Sequence, residues 1–364
     1  MRAGYAPGPS RMPLPACRTY LPPEWEPQSG VMLTWPHAQS DWAPVLHAVE
    51  PVFTAIAAAI ARYELALIAC HDESVRAQVA SQLHAAGVPD ARVRLYVAPA
   101  NDTWARDHGP ITVLCRSEPT LLDFEFNGWG GKYPCELDNL ITRRLHAQGA
   151  FGDAPLETVQ LVLEGGSIEV DGQGTLLTTT RCLLSSTRNP GRTRAQIETL
   201  LAALLGITRF LWLDNGYLAG DDTDSHIDTL ARLCDADTIA YVACDDPADE
   251  HYAELQAMQK ELQAFRTASG RPYRLVALPW PRARFDDDGA RLPATYANFL
   301  IINDAVLVPV YDDPADVAAL ARVRSCFPGR EVIGIDCLPL IYQHGSLHCV
   351  TMQLPAGVVP DNRP

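Results

Sequence analysis

The sequence predicts an α/β fold: about five ββαβ units in pseudo-symmetric repetition, closed on one another as a single domain. Three observations predict it. The order of a short hairpin, an amphipathic helix and a single strand keeps returning along the chain, with turn signals where each hairpin needs them. No Ser/Gly linker or charge run separates the units, so two domains joined by a hinge find no support. No repeat looks like a cap, and units with open faces can bury them by closing into a ring.

The first unit runs from "GVMLTWP" through a helix with Val49, Phe53, Ile56 and Ile60 on one face to "LALIAC". The second begins at "WARDHGPITVL" and continues into "TLLDFEFN". In the third, "SIEVDGQGTLLTT" alternates apolar and polar residues around Asp171-Gly172, a hairpin turn signal. Its helix, "RTRAQIETLLAALLG", carries Ile197, Leu200, Leu201, Leu204 and Leu205 at helical spacing, and Gly206 supplies the stop before "TRFLWLD". The fourth unit is "HIDTLARLCDADTIAYVACDD", a helix through Leu255, Met258, Leu262 and Phe265, and "RLVALPW". The fifth is "YANFLIINDAVLVPVYDD" with Asn303-Asp304 as its turn, a short helix with Val317, Leu320 and Val323, and "REVIGID". Residues 1–22 read as an extended Pro-rich tail, 23–358 as one catalytic domain and 359–364 as a C-terminal tail.

Composition narrows the function classes. With 47% hydrophobic and 20% charged residues the chain can bury a substantial core, and no stretch approaches the roughly 20 apolar residues of a membrane span. The proline-broken N-terminus lacks the apolar segment of a signal peptide. A formal charge of −15, uninterrupted by any Lys/Arg cluster, makes nucleic acid and anionic membrane poor partners. The ten cysteines form no C-x-x-C pair, which argues against structural zinc and for buried thiols in a reducing cytoplasm. A homodimer is the assembly expected from base rates alone.

Polar residues gather just ahead of the hairpins: Arg106 and Asp107 before "ITVL", Glu164 before "IEV", His226 and Asp228 before "TLARL", Tyr296 and Asn298 before "FLII", and Cys349 near the C-terminus. In a ring these equivalent positions meet at the centre. The acidic stretch "GDDTDSHIDTLARL" offers a metal site, a grip on an organic cation, or a solvated loop. As a calcium loop counted from Asp222 it fails, because Ile227 stands where Gly is needed and Leu233 where Glu is needed. A zinc site through His226 and Cys349 lacks further ligands of suitable spacing. His226 and Asp228, two apart, share one face if the strand is extended there. A lone cysteine is usually core; here Gly345 and Ser346 let the backbone approach a ligand, and His226 can stabilise a thiolate. His348 should point away from Cys349 by strand alternation. Asp107 can equally be an internal ion pair, and Glu164 a turn residue.

Seven pieces in order, "PPEWEPQSGVMLTWP", "WARDHGPI", "FNGWGGKY", "EGGSIEVDGQGTLLTT", "DDTDSHIDTLARL", "YANFLIIN" and "GSLHCVTMQLP", resemble the guanidine-modifying (pentein) superfamily. Within it they resemble the agmatine deiminase and bacterial-type peptidylarginine deiminase family. The resemblance covers nearly the whole chain and implies a five-bladed ββαβ pseudo-propeller around a central site. It implies Cys349 as nucleophile, His226 as general acid and base, Asp107 and Asp228 as the carboxylates gripping a guanidinium, and Glu164 as the support of His226. Asn298 matches a site asparagine, and Trp35, Trp104 and Trp129 lie in motifs of the pocket mouth, with Trp129 against the alkyl part of a substrate. Asp222, with Asp221 and Asp224, is expected to shape the loop or the mouth. The chain departs from the agmatine-specific pattern at "HGSLHC", at His108 and at Ser225.

The chemistry explains these residue types. A guanidinium is planar and stays protonated, its pKa lying above about 12, so its carbon is a poor electrophile. Two carboxylates can hold it by paired hydrogen bonds and present the carbon to a thiolate. The expected reaction is hydrolysis of agmatine to N-carbamoylputrescine and ammonia, a step toward putrescine, with peptidyl or free arginine as the alternative guanidine. It requires no metal and no organic cofactor.

Overall fold

Parallel strands cannot be joined by a tight turn, and here every parallel pair is bridged by a helix. The structure is a computed structural model and describes residues 19–360. Its five main sheets share one order: two strands pair antiparallel, then a helix carries the chain to a strand parallel to the second. Ile111–Cys115 and Glu118–Glu125 are followed by Ile141–Ala147 and Leu156–Val162. Ile168–Val170 and Thr175–Thr179 lead through Arg194–Leu205 to Arg209–Leu213. Ala231–Asp235 and Thr238–Val242 lead through Tyr252–Ala264 to Arg274–Leu278. Leu300–Ile302 and Ala305–Val310 lead through Asp316–Cys326 to Glu331–Asp336.

The remaining sheet joins the two ends of the chain. Gln28–Thr34 pairs antiparallel with the last strand, Thr351–Pro355, and parallel with Leu65–Cys70 across the helix Leu46–Ala61. A second helix, Glu73–Ala85, and a fourth strand, Val93–Val97, extend this sheet. Sequence periodicity does not reveal that helix, because it buries only Val79 and Leu83. Among the described residues the sheets stay separate and form no single closed sheet.

Local chemistry sets the element ends. Thr193 and Gln196 form a capping box at the start of Arg194–Leu205, and Gly206 ends it at φ 72°. Ile197, Leu201 and Leu205 are buried there, with Leu200 and Leu204 packed at the margin. On Asp316–Cys326 the expected apolar face is shifted: Val323 is buried and Leu320 packs against the core as expected, but Val317 is exposed and Ala319 and Cys326 are buried in its place. Ala43–Ala61 is long and apolar enough by length and composition to cross a membrane, against expectation. Its residues Val49, Phe53, Ile56 and Ile60 are fully buried in the core, which accounts for that apolarity. Of the expected N-terminal tail, residues 1–18 lie outside the described residues, whereas Tyr20 exchanges two backbone hydrogen bonds with Leu114. Residues 361–364 of the expected C-terminal tail also lie outside the described residues.

Candidate active site

Five turns, each leading into a strand of a different sheet, touch one another in a circuit. The Arg106 N–H donates to the Cys349 carbonyl at 3.1 Å, and the Gly166 N–H donates to Asp107 Oδ1 at 3.1 Å. Asn298 Nδ2 donates to the Asp228 carbonyl at 3.4 Å, and the His348 N–H donates to the Asn298 carbonyl at 3.1 Å. Gly166 sits at the hub. A Cβ there would stand 2.6 Å from His226 Nδ1, 3.0 Å from Asp107 Oδ1 and 3.1 Å from Asp228 Oδ2, so only glycine leaves the three side chains their common space.

Asp107 comes from the short helical turn Ala105–His108, and Trp129 Nε1 donates to its Oδ2 at 3.0 Å. His226 and Asp228 flank Ile227 in a 3-10 turn, Ile227–Thr229. They are not on an extended strand, and it is the turn that brings both toward Gly166. His226 Nδ1 lies 3.6 Å from Asp107 Oδ1. Cys349 Sγ lies 3.9 Å from Asp228 Oδ2 and 3.4 Å from Asn298 Oδ1. His226 Nε2 and Asp228 Oδ1 are buried without a hydrogen-bond partner. An acceptor and a ring nitrogen left open beside a thiol are what a ligand bearing N–H groups would occupy.

Burial governs the protonation states. It raises Asp107, reinforced by the nearby Asp228 and Glu164 carboxylates and only partly opposed by Trp129 and Gly166. Burial works the same way on Asp228, but the hydrogen bond and charge of His348 bring that group below the usual carboxylate range. Burial lowers His226 to about 3 despite the attraction of Asp228. It pushes the Cys349 thiol well up, with Asp228 and Asp107 adding to the effect. Burial therefore holds His226 and Cys349 toward their neutral imidazole and thiol forms, and the positive charge that would favour a thiolate has to come from a cationic ligand.

A pocket of about 400 Å³ opens above Cys349 and Asp107. Trp104, Trp129 and Gly345 line it, as do Asp41, Asp102 and Asp222. One expected pocket residue is placed elsewhere. Trp35 is fully buried against Phe53, with ring centroids 5.6 Å apart, because its strand side faces the core. Asn298 is fully buried at the site itself: its Oδ1 accepts the His348 N–H at 2.8 Å and lies 3.4 Å from Cys349 Sγ, so it holds the turn that carries the thiol. Glu164 makes its hydrogen bonds to Arg188 Nε, at 2.8 and 3.0 Å, and not to His226.

Sequence reasoning missed Arg188, which also binds Asp224 and the Thr223 carbonyl and so anchors the acidic loop. It missed Tyr133 and Lys132, which reach Asp222 and Asp224 across the mouth. Asp221 accepts the Ser225 N–H at 2.7 Å and shapes the same loop. His348, set aside on alternation, precedes the strand Thr351–Pro355, so alternation does not apply and its ring reaches Asp228. Among the described residues two groups place potential metal-ligand atoms within 4.8 Å of one another: Glu164, Cys182 and His226, and Glu24, Glu169 and His348. In each an arginine already supplies positive charge, Arg188 in one and Arg232 in the other.

The sequence pattern of the Porphyromonas-type peptidyl-arginine deiminase family matches residues 20–355. Agmatine deiminase of Pseudomonas fluorescens (strain SBW25) is 34% identical over 93% of this chain and 95% of that protein. A cysteine-to-serine variant of C. jejuni agmatine deiminase with substrate bound superposes at TM-score 0.88, with 35% identity over 96% of this chain and 100% of that one. A Porphyromonas gingivalis chain provisionally assigned as an arginine deiminase superposes at TM-score 0.87, with 52% identity over 94% of this chain and 100% of that one. The amidinotransferase SxtG of Microseira wollei, 10% identical at TM-score 0.53, shares the fold alone.

Proposed function

The chain belongs to the Porphyromonas-type peptidyl-arginine deiminase family, and from that premise we propose that it hydrolyses agmatine to N-carbamoylputrescine and ammonia through a thiouronium on Cys349. One observation carries the reading: two buried carboxylates, Asp107 and Asp228, share a space beside a thiol, and among the described residues no lysine or arginine lines the pocket that opens on Asp107 and Cys349. A guanidinium would supply the missing charge, and Asp228 Oδ1 and His226 Nε2 have free capacity to meet its N–H groups.

Cationic substrate between Asp107 and Asp228 favours ionisation of Cys349, whose proton passes to His226. Sulfur attacks the guanidinium carbon to give a tetrahedral adduct. His226 returns the proton to the departing nitrogen, ammonia leaves, and the S-alkylthiouronium remains. His226 then removes a proton from water as the water attacks; collapse breaks the C–S bond to free the ureido product, the sulfur takes the proton back from His226, and the hydroxyl proton passes to the released ammonia as ammonium. Glu164 acts in this reading by fixing charge near His226, with Arg188 balancing it.

The mouth favours agmatine over arginine. Asp41, Asp102 and Asp222 line the pocket beside Asp107, so the ammonium of agmatine would meet acids where an arginine carboxylate would be repelled by them. The second reading, arginine free or in a peptide, is favoured by the 52% identity to the P. gingivalis chain assigned to arginine. The five sheets are read here as blades of a pseudo-symmetric propeller, supported by their shared strand order and by the circuit of turns at the site. The reading extends to one catalytic domain at 23–358 and to a cytoplasmic location, where a small diffusible guanidine is met.

Purified protein incubated with agmatine, arginine and a C-terminal arginine peptide, with and without EDTA, tests this by ureido formation. We expect turnover of agmatine that resists EDTA and vanishes in Cys349→Ser. Turnover confined to an arginine substrate would select the second reading, and turnover that survives Cys349→Ser would end the covalent mechanism.

A further inference from the structure

Beneath the site lies a buried ionic cluster that none of the proposed steps uses. Glu24, from the segment ahead of the first strand, contacts three partners. Its Oε1 lies 2.7 Å from His348 Nε2 and 3.3 Å from Arg106 Nη1, and its Oε2 faces Arg232 Nη2 at 2.5 Å. Arg232 also binds Glu169 and the Phe299 carbonyl, and its Nη2 lies 3.0 Å from His348 Nε2. On its other edge His348 Nδ1 donates to Asp228 Oδ2 at 2.8 Å. Arg106, His348, Arg232 and Asp228 are nine-tenths or more buried.

The placement of these partners in the chain is informative. Arg106 adjoins Asp107, Arg232 lies four residues beyond Asp228, and His348 adjoins Cys349. One carboxylate therefore ties down the three segments that bear the acids and the thiol. Asp228 has two oxygens: Oδ2 is committed to His348, and Oδ1 is unpartnered. A carboxylate with one oxygen clamped cannot rotate, so the open oxygen keeps one direction without needing a ligand to set it.

We propose that His348, held by Glu24 and Arg232, is a positioning residue that orients Asp228 to receive the guanidinium. This rests on the reading of Asp228 as a guanidinium-binding carboxylate. His348 touches no reacting atom, so its loss acts through Asp228 on binding before it acts on the chemical step.

The two edges of the ring can be separated by substitution. Asparagine at 348 keeps a donor near the Nδ1 position and loses the Glu24 contact, whereas glutamine keeps a donor near Nε2 and loses Asp228. In the Cys349→Ala protein, agmatine binding by calorimetry reads the grip without turnover. There we expect His348→Gln to weaken agmatine about ten- to a hundred-fold, the range of a charge-assisted hydrogen bond, and His348→Asn to recover most of that loss. In the protein with Cys349 intact, His348→Gln should raise KM by a similar factor with a smaller change in kcat.

Equal weakening by both substitutions, with melting temperatures lowered alike, would show a structural role only and overturn the proposal. So would unchanged affinity in His348→Gln. If the intact protein turns over no guanidine while the Cys349→Ala protein binds agmatine and His348→Gln loosens it, the deiminase reading fails and the positioning role stands.

Discussion

Burial, with Asp228 and Asp107 close by, holds the Cys349 thiol above the ordinary cysteine range, and a neutral His226 offers it no positive charge. A raised thiol pKa means less thiolate than an ordinary cysteine at any pH below that value, so reactivity climbs with pH. We expect iodoacetamide to modify Cys349 more slowly than a small free thiol at pH 7 and to gain speed toward alkaline pH. A saturating guanidine too small to be converted should accelerate it at pH 7 by adding a cation beside the sulfur. Mass mapping of the alkylated peptide checks both, and a fast reaction at pH 7 in the free protein would show that the thiolate forms without substrate. The Asp pair follows the same logic: one carboxyl held low by His348 and one raised by burial suit a single cation shared between them.

At the scale of elements, the site depends on loops that approach more closely than side chains permit. A Cβ on Gly345 would fall 2.0 Å from Trp104 Cζ3, and Trp104 cannot yield easily because its Nε1 donates to Asp102 at 2.8 Å. His344, at φ 67°, donates from Nδ1 to the Gly220 carbonyl at 2.8 Å and so joins this loop to the acidic one. Gly345→Ala should displace Trp104 into the pocket, raising KM for agmatine about ten-fold or more. Overpacking of this kind costs about 1–3 kcal/mol, so a fall of several degrees in melting temperature should accompany it. Wild-type kinetics in Gly345→Ala would mean that the loop simply lifts away. The acidic loop carries its own strain, with Asp224 and Ser225 both at positive φ and both held by partners that fix the backbone ahead of His226.

Across the whole molecule the first and fifth sheets are stitched at Asn303, which exchanges hydrogen bonds with the Gln28 backbone and donates its own N–H to Glu64 at 3.0 Å. Burial raises Glu64 to about 7, the Asn303 bond opposing it only in part. Between pH 4.5 and 7 the folded protein holds this proton and the unfolded chain does not, so the associated stability is present in acid and lost as pH rises. The span corresponds to roughly 3 kcal/mol at most. Glu64→Gln copies the protonated form, and we expect its melting temperature to match the parent near pH 4.5 and exceed it at pH 8. Equal losses at both pH values would show that Glu64 is held ionised.

Much of this protein was legible in its sequence because the signals were local. The Asp171-Gly172 and Asn303-Asp304 turns, the spacing of Ile197, Leu201 and Leu205, and the polar residues ahead of each hairpin are set by neighbours a few positions away. Glu24 in "PPEWEP" carries no local signal of its role, since its partners Arg106, Arg232 and His348 stand 82, 208 and 324 residues off. Trp35 lies in the core and not at the pocket mouth, because which face of a segment meets the core depends on the sheets around it. The sequence by itself determined the repeating unit, the family and the set of chemical groups. Only the tertiary structure decided which groups share a space and which protons they hold, because burial and charge act through distance in the folded chain and not along it.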